Sequence, residues 1–203
     1  MTDLDDKVRR CWGSGDPLMA TYHDLEWGVP VRDDRMLYQH LVLDGFQAGL
    51  SWRTILYKRE NFRRAFEGFD PQRIAAYGKR DVARLMRDPG IVRNRQKIEA
   101  AIANAQAFLA LIEADGSFND FLWSFTGGRT KLGKAARRWQ DIPTHTPESD
   151  AMAIALKARG FRFAGTTICY AFMQAVGMVD DHMVGCFRYQ PRRPRRISDG
   201  PVS

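Results

Sequence analysis

The chain has 203 residues, 44% of them hydrophobic and 27% charged, enough for one sizeable core or two small lobes sharing one. No stretch approaches the roughly 18 uninterrupted apolar residues of a membrane span, and the acidic start Met1-Thr2-Asp3-Leu4-Asp5-Asp6 lacks the basic-then-apolar order of a signal peptide, so a cytoplasmic protein without a membrane partner is expected. Of the formal net charge of +7, the five Arg and one Asp from Arg188 onward supply +4, which suits a polyanionic partner such as nucleic acid as well as a plain basic enzyme.

Residues 1–10 read as a flexible, charged lead-in, and Cys11-Trp12-Gly13-Ser14-Gly15 as a turn. Asp16 with Pro17 predicts a capped helix through Leu25, broken at Trp27-Gly28-Val29-Pro30. A second helix starts at Asp33 or Asp34 and ends near Asp44-Gly45. A third opens at Ser51, its cap, and carries Phe62 and Phe66 on one face. Asp70-Pro71 restarts the helical pattern, and a short helix covers 80–86. Asp88-Pro89-Gly90 is a tight turn. From Ile91 the apolar spacing of Ile98, Ile102, Ala105 and Leu109 predicts a long amphipathic helix to about Ala114. A short helix follows over 118–125, then an irregular stretch, 126–146. Helices over 147–157 and 166–176 close the body. Residues 188–203, rich in Pro and Arg, are expected to be a disordered basic tail. The fold class is all-α.

Three groups of residues carry chemistry. His182 and Cys186, at i and i+4, would share a face if that segment were helical, and Cys11 with His23 forms a second pair near the other end. Together they would make a tetrahedral Cys2His2 set, closed and therefore structural. The plainer reading is two buried cysteines and two surface histidines. If the site exists, Asp180 or Asp181 is positioned to accept from an imidazole N–H. Cys169 lies in an apolar helix and is expected to pack in the core.

The second group is the turn Asp88-Pro89-Gly90 followed by Arg93, Arg95 and Lys97. A helix start, a glycine that permits close approach and nearby cations make a phosphate site, in the order of a helix-hairpin-helix. An ordinary helical hairpin with a solvated basic face reads the same way. The third group is the stretch from Leu43 to Trp52. Asp44 follows Leu37 and Leu41 at helical spacing, so its carboxylate faces the apolar side. With Trp52 and Tyr22 it can form a polar-aromatic pocket for a flat base. Set against that, both aromatics can be core and Asp44 a fraying helix end.

Tyr22-His23-Asp24-Leu25-Glu26-Trp27-Gly28-Val29-Pro30, Gln47-Ala48-Gly49-Leu50-Ser51-Trp52 and Lys58-Arg59-Glu60-Asn61-Phe62 resemble the DNA-3-methyladenine glycosylase I family. So do Trp123-Ser124-Phe125, Arg159-Gly160-Phe161-Arg162-Phe163, Gly165-Thr166-Thr167-Ile168-Cys169-Tyr170 and Asp181-His182…Cys186. The resemblance spans about 11–187. It implies a helix-hairpin-helix glycosylase fold in one domain, 11–187, with a zinc-stapled lobe (11–34 and 147–187) and a hairpin lobe (35–146). It implies a monomeric base-excision repair enzyme that flips 3-methyladenine out of double-stranded DNA and hydrolyses its N-glycosidic bond, without lyase activity. One structural zinc falls on Cys11, His23, His182 and Cys186. Asp44 takes the catalytic position, with Tyr22, Trp52, Met19 and Phe46 in the substrate pocket. DNA contacts fall on Leu50, a candidate wedge, and on Gly90, Arg93, Arg95 and Lys97.

Two positions depart from the family pattern. Asp44 stands where the family has Glu, and Met19 follows Asp-Pro-Leu where Tyr is usual. The shorter acid keeps the charge but moves the acceptor by more than about an ångström, and Met19 gives up a flat wall. Two alternatives therefore stay open: a glycosylase with a shifted lesion preference, and a zinc-stapled protein that binds lesions without excising them.

Overall fold

The structure, a computed structural model, describes residues 9–191; the arginines of the basic tail from Arg192 onward lie outside them. The fold is predominantly helical, with nine α-helices among the described residues: α1 Pro17–Leu25, α2 Asp34–Gln47, α3 Trp52–Ala65, α4 Pro71–Ala75, α5 Lys79–Arg87, α6 Arg95–Asp115, α7 Phe118–Ser124, α8 Pro147–Ala158 and α9 Thr166–Ala175. Local chemistry starts most of them where the sequence predicts. Asp16 accepts from the N–H groups of Leu18 and Met19, Asp33 from Met36, Ser51 from Thr54 and Asp70 from Gln72 and Arg73. Each cap satisfies backbone donors that a helix start leaves open. No helix among the described residues is long and apolar enough to cross a membrane.

Two boundaries differ from the expectation. α2 continues past Gly45 to Gln47. Gly45 is not a break. A Cβ there would already touch the Cβ of Phe163 at 3.4 Å, so the glycine permits close packing inside a helix buried at every position from Leu37 to Phe46. α6 starts at Arg95 rather than Ile91. Ile91 is buried in the core, and Asn94, with extended backbone, caps the helix by accepting from Lys97 N–H at 3.1 Å.

The irregular stretch contains the only strand pairing found among the described residues. β1 (Lys131–Leu132) runs parallel to β2 (Val179–Asp180), pairing Lys131 with Val179 and Leu132 with Asp180. That short ladder lays the loop at Gly133 against Asp181. Around α2 pack α3, α6, α7 and α9. Their shared core includes Tyr38, Phe46, Phe62, Phe66, Phe108, Phe118 and Trp123, each no more than 5% exposed. A smaller cluster, Tyr22, Trp27 and Leu56, adjoins it, and Trp52 packs against both.

Candidate active site

A cleft of about 540 Å³ opens between α1, the end of α2, the start of α3 and α9, a size that suits a small flat ligand. Its walls are aromatic. Tyr22 comes from the middle of α1, Trp52 from the first turn of α3, Trp12 and Trp27 from the segments flanking α1, and Trp139 from a single 3₁₀ turn, Trp139–Asp141. Met19, Gln47 and Gln174 complete much of the lining.

Asp44 is the one ionisable carboxylate in this wall. It is 1% exposed, and its Oδ2 has no hydrogen-bond partner. Burial raises its pKa well above the ordinary carboxylate value, because a lone charge in a low-dielectric site is costly. Since α2 runs on to Gln47, Asp44 stands inside a buried helix and not at a frayed end. Tyr22 is 2% exposed, and its pKa is also raised, by burial first and then by the charges of Asp44 and Glu26. Beneath it Arg59 holds Glu26 through two hydrogen bonds of 2.5 and 2.9 Å.

The Tyr22 and Trp52 ring centroids are 5.1 Å apart and their planes inclined at 43°. A base sandwiched between two rings needs about 3.5 Å on each side. The two rings touch each other, so they form a bent wall for one face of a ligand rather than a slot around it.

Phe46 and Lys97 are placed elsewhere than expected. Phe46 points away from the cleft into the phenylalanine core, with Phe62 at 4.7 Å. On a helix buried all round, apolar spacing does not say which face meets the ligand. Lys97 is 8% exposed, and its Nζ donates to the carbonyl oxygens of Phe46 at 2.8 Å and Ala48 at 2.5 Å. It satisfies carbonyls at the end of α2 and does not reach out to phosphate. Arg93 and Arg95 are exposed, and Arg95 has Glu99 at 3.5 Å. Gly90 spends its N–H on Asp88 Oδ1 at 2.7 Å, and its carbonyl accepts from Lys58 and Asn61 at 3.3 Å. A Cβ at Gly90 would lie 3.1 Å from Asn61, so the glycine serves close packing of the turn on α3. Leu50, 42% exposed, stands at the tip of the turn between α2 and α3.

Three of the four predicted metal ligands converge in space. The donor atoms of Cys11, His23 and Cys186 lie within 4.8 Å of one another. His23 Nε2 is 3.4 Å from Cys11 Sγ and 3.5 Å from Cys186 Sγ. His182 stands beside this trio, its ring centroid 5.1 Å from that of His23 and its Nε2 buried without a partner. The segment between His182 and Cys186 turns at Gly185, φ +91°, and is not a helix. The Nδ1 of each imidazole meets a carboxylate: His23 with Asp24 at 2.8 Å and His182 with Asp180 at 2.7 Å. Both Nε2 atoms are thereby left as lone-pair donors. Burial pushes the Cys11 thiol up to about 12, so a thiolate here calls for a cation beside it. Cys11, His23 and Cys186 are donors of the kind that holds a metal ion, with His182 next to the group they form. Cys169 is core, its Sγ 3.4 Å from Ala164 O.

Several lining residues were not singled out from the sequence. Trp12 directly follows a proposed ligand and packs edge-on against His23 at 4.9 Å; its neighbour was the available signal. Gln174 is the lone amide in the apolar run of α9, another signal. Trp139 comes from a segment without periodicity and offered none.

Comparison with known proteins agrees with this arrangement. The methyladenine glycosylase family model matches residues 12–189. DNA-3-methyladenine glycosylase 1 of Escherichia coli K12 is 50% identical over 188 residues, which is 92% of this chain and all of that protein. A crystal structure of 3-methyladenine DNA glycosylase I shares 55% identity and superposes with a TM-score of 0.87, covering 90% of this chain and all of the other. The Staphylococcus aureus 3-methyladenine DNA glycosylase I, described in terms of its recognition of 3-methyladenine, shares 38% identity with a TM-score of 0.82, over 86% of this chain and 92% of that one.

Proposed function

We propose that this chain, which belongs to the methyladenine glycosylase family, excises 3-methyladenine from alkylated double-stranded DNA by hydrolysing the N-glycosidic bond of a flipped nucleotide. The observation that carries this reading is the cleft itself: flat aromatic walls around one buried carboxylate without a partner.

Methylation at N3 leaves the adenine ring positively charged, so its bond to C1′ is already labile. When the bond breaks, its electron pair goes to the base and neutralises the ring, and water adds to C1′ and gives up a proton to solvent. Asp44 then serves chiefly in selection. A cationic base supplies the charge that stabilises the ionised carboxylate in a dry cleft, whereas normal adenine would leave that charge uncompensated. The angled Tyr22–Trp52 wall gives the base a surface to stack on, and Met19 adds apolar contact. A lesion also unstacks at lower cost than an intact pair.

The α5–turn–α6 unit is read as the helix-hairpin-helix that grips the DNA backbone. The exposure of Arg93 and Arg95 at the start of α6 supports it, since a helix start and cations favour phosphate. Leu50 is assigned as the wedge that fills the vacated stack; its support is exposure of an apolar side chain beside the cleft. A zinc held by Cys11, His23, His182 and Cys186 would leave no open coordination position. Its part would be structural, tying the segment before α1 to the one after α9.

The test is to incubate the protein with methylated DNA and separate the released bases by chromatography. Free 3-methyladenine is expected. Release of a different base would replace the substrate, and tight salt-dependent binding without release would overturn the enzymatic reading. Metal analysis should find one zinc per chain, and Cys186→Ser should lower the thermal midpoint. A stable, metal-free protein would refute the staple.

A further inference from the structure

Gln174 interrupts the apolar sequence of α9 and contributes to the cleft wall beside Asp44 and Trp52. Its Nε2 donates to Asp181 Oδ2 at 2.8 Å, and the Tyr170 hydroxyl donates to the same oxygen at 2.6 Å. Asp181 is 2% exposed. With the amide nitrogen and the Tyr170 hydroxyl both donating to Oδ2, the amide stands with its nitrogen toward Asp181 and its carbonyl Oε1 away from it. The flipped amide would set its carbonyl oxygen against a carboxylate oxygen.

Asp181 has little room to shift. A Cβ on Gly133 would fall 1.7 Å from its Oδ1, so only a glycine permits the loop to lie there. That loop is pinned by the β1–β2 pairing and by Gly133 N–H on Asp180 O at 2.8 Å. Among the described residues Oε1 has no hydrogen-bond partner, and it is not among the buried unpartnered atoms, so it is accessible on a residue that lines both the cleft and the smaller hollow beside Trp139 and Thr167.

We infer that Gln174 is a specificity-determining residue, its Oε1 accepting a hydrogen bond from the exocyclic amino group of the bound base, with Asp181 the positioning residue that fixes the amide. The inference rests on the glycosylase reading and adds a neutral acceptor to the one carboxylate in the cleft wall. A 3-methylated guanine carries the same N3 methyl and the same positive charge, so charge alone does not separate the two purines. Guanine, however, has a carbonyl oxygen where adenine has its amino group. An aimed acceptor meets a donor in one and an acceptor in the other, and mismatched polar edges in a desolvated site discriminate far better than shape alone.

Gln174→Met keeps length and apolar contact but removes the acceptor; Gln174→Leu repeats the comparison with a side chain that cannot extend into the cleft. Release of 3-methyladenine and of 3-methylguanine is measured from the same methylated DNA, alongside affinity for free 3-methyladenine by quenching of tryptophan fluorescence. Release of 3-methyladenine should fall about tenfold while that of 3-methylguanine holds or rises, so the ratio of the two collapses in variants that remain folded. An unchanged ratio in both folded variants overturns the inference. If the wild-type protein releases neither base, the glycosylase reading fails on its own, and the free-base measurement decides: at least tenfold weaker binding in the variants upholds Gln174 as an acceptor, and equal binding, or none in the wild type, overturns it.

Discussion

Two aromatic regions meet at Trp52, and they are built to opposite ends. In the core, Phe46, Phe62, Phe66 and Phe69 are each at most 1% exposed, with Phe66 and Phe69 nearly parallel at 4°. None of these side chains has a polar atom to satisfy, so the region closes on itself. In the cleft, Trp12, Tyr22, Trp27 and Trp52 each carry a donor, and they surround a carboxylate. Trp12 Nε1, Trp52 Nε1 and Asp44 Oδ2 are buried without partners. Native structures seldom leave such groups unpaired, and here they gather where a ligand enters. Lys97, a cation at the edge of the core, is by contrast engaged with the carbonyls of Phe46 and Ala48.

The contrast implies that core changes cost stability and cleft changes cost function. Phe66→Ala is expected to lower the unfolding free energy by about 3–5 kcal/mol, read from denaturant melts, while the molecules that remain folded keep their base-release rate. A large loss of turnover per folded molecule would show that the core and cleft are not separable.

Asp44→Asn should do the reverse. Base release is expected to fall about 100-fold, roughly 2.7 kcal/mol, with the protein at neutral pH becoming more stable. The sign follows from burial. The folded pKa of Asp44 is raised above its unfolded value, so the folded state keeps a proton that the unfolded chain releases. The associated stability is fully present below the ordinary carboxylate value near 4 and is lost as pH rises through the folded pKa. The wild type should therefore show a falling stability over that window which the Asn variant lacks. Parallel pH–stability curves would remove Asp44 from its buried, unpaired state.

The smallest effect is expected at the surface. Replacing Arg93 and Arg95 together by Ala should weaken DNA binding several-fold and reduce the salt slope by about 2, measured by titration at several ionic strengths. Affinity for the free base should be unchanged, because neither side chain lines the cleft. A weaker free-base affinity would couple the hairpin to the pocket.

Much of the framework was legible in the chain alone because it is local. The caps at Asp16, Asp33, Ser51 and Asp70 act on N–H groups two or three residues away, and a side chain that close to its partner needs no tertiary information. The choice of Asp44, Tyr22 and Trp52 for the pocket was also within reach, since an acid at apolar helical spacing beside glycines and a Trp is an unusual combination. The Cys and His spacings allowed a metal set but did not compel it. What remained illegible depends on residues far apart in sequence. Whether Phe46 or Asp44 faces the ligand is decided by what packs on each side of a helix buried all round. Lys97 reads as a phosphate contact until residues 49 and 51 positions earlier in the chain offer it their carbonyls. The direction of the Gln174 amide is set by a carboxylate held in place from the other side of a two-residue strand pair. Local hydrogen bonding and apolar spacing thus determined the helices and nominated the site. Only the tertiary structure decided which polar atoms were used up in packing and which were left free for a ligand, because that balance depends on partners that the fold alone brings into reach.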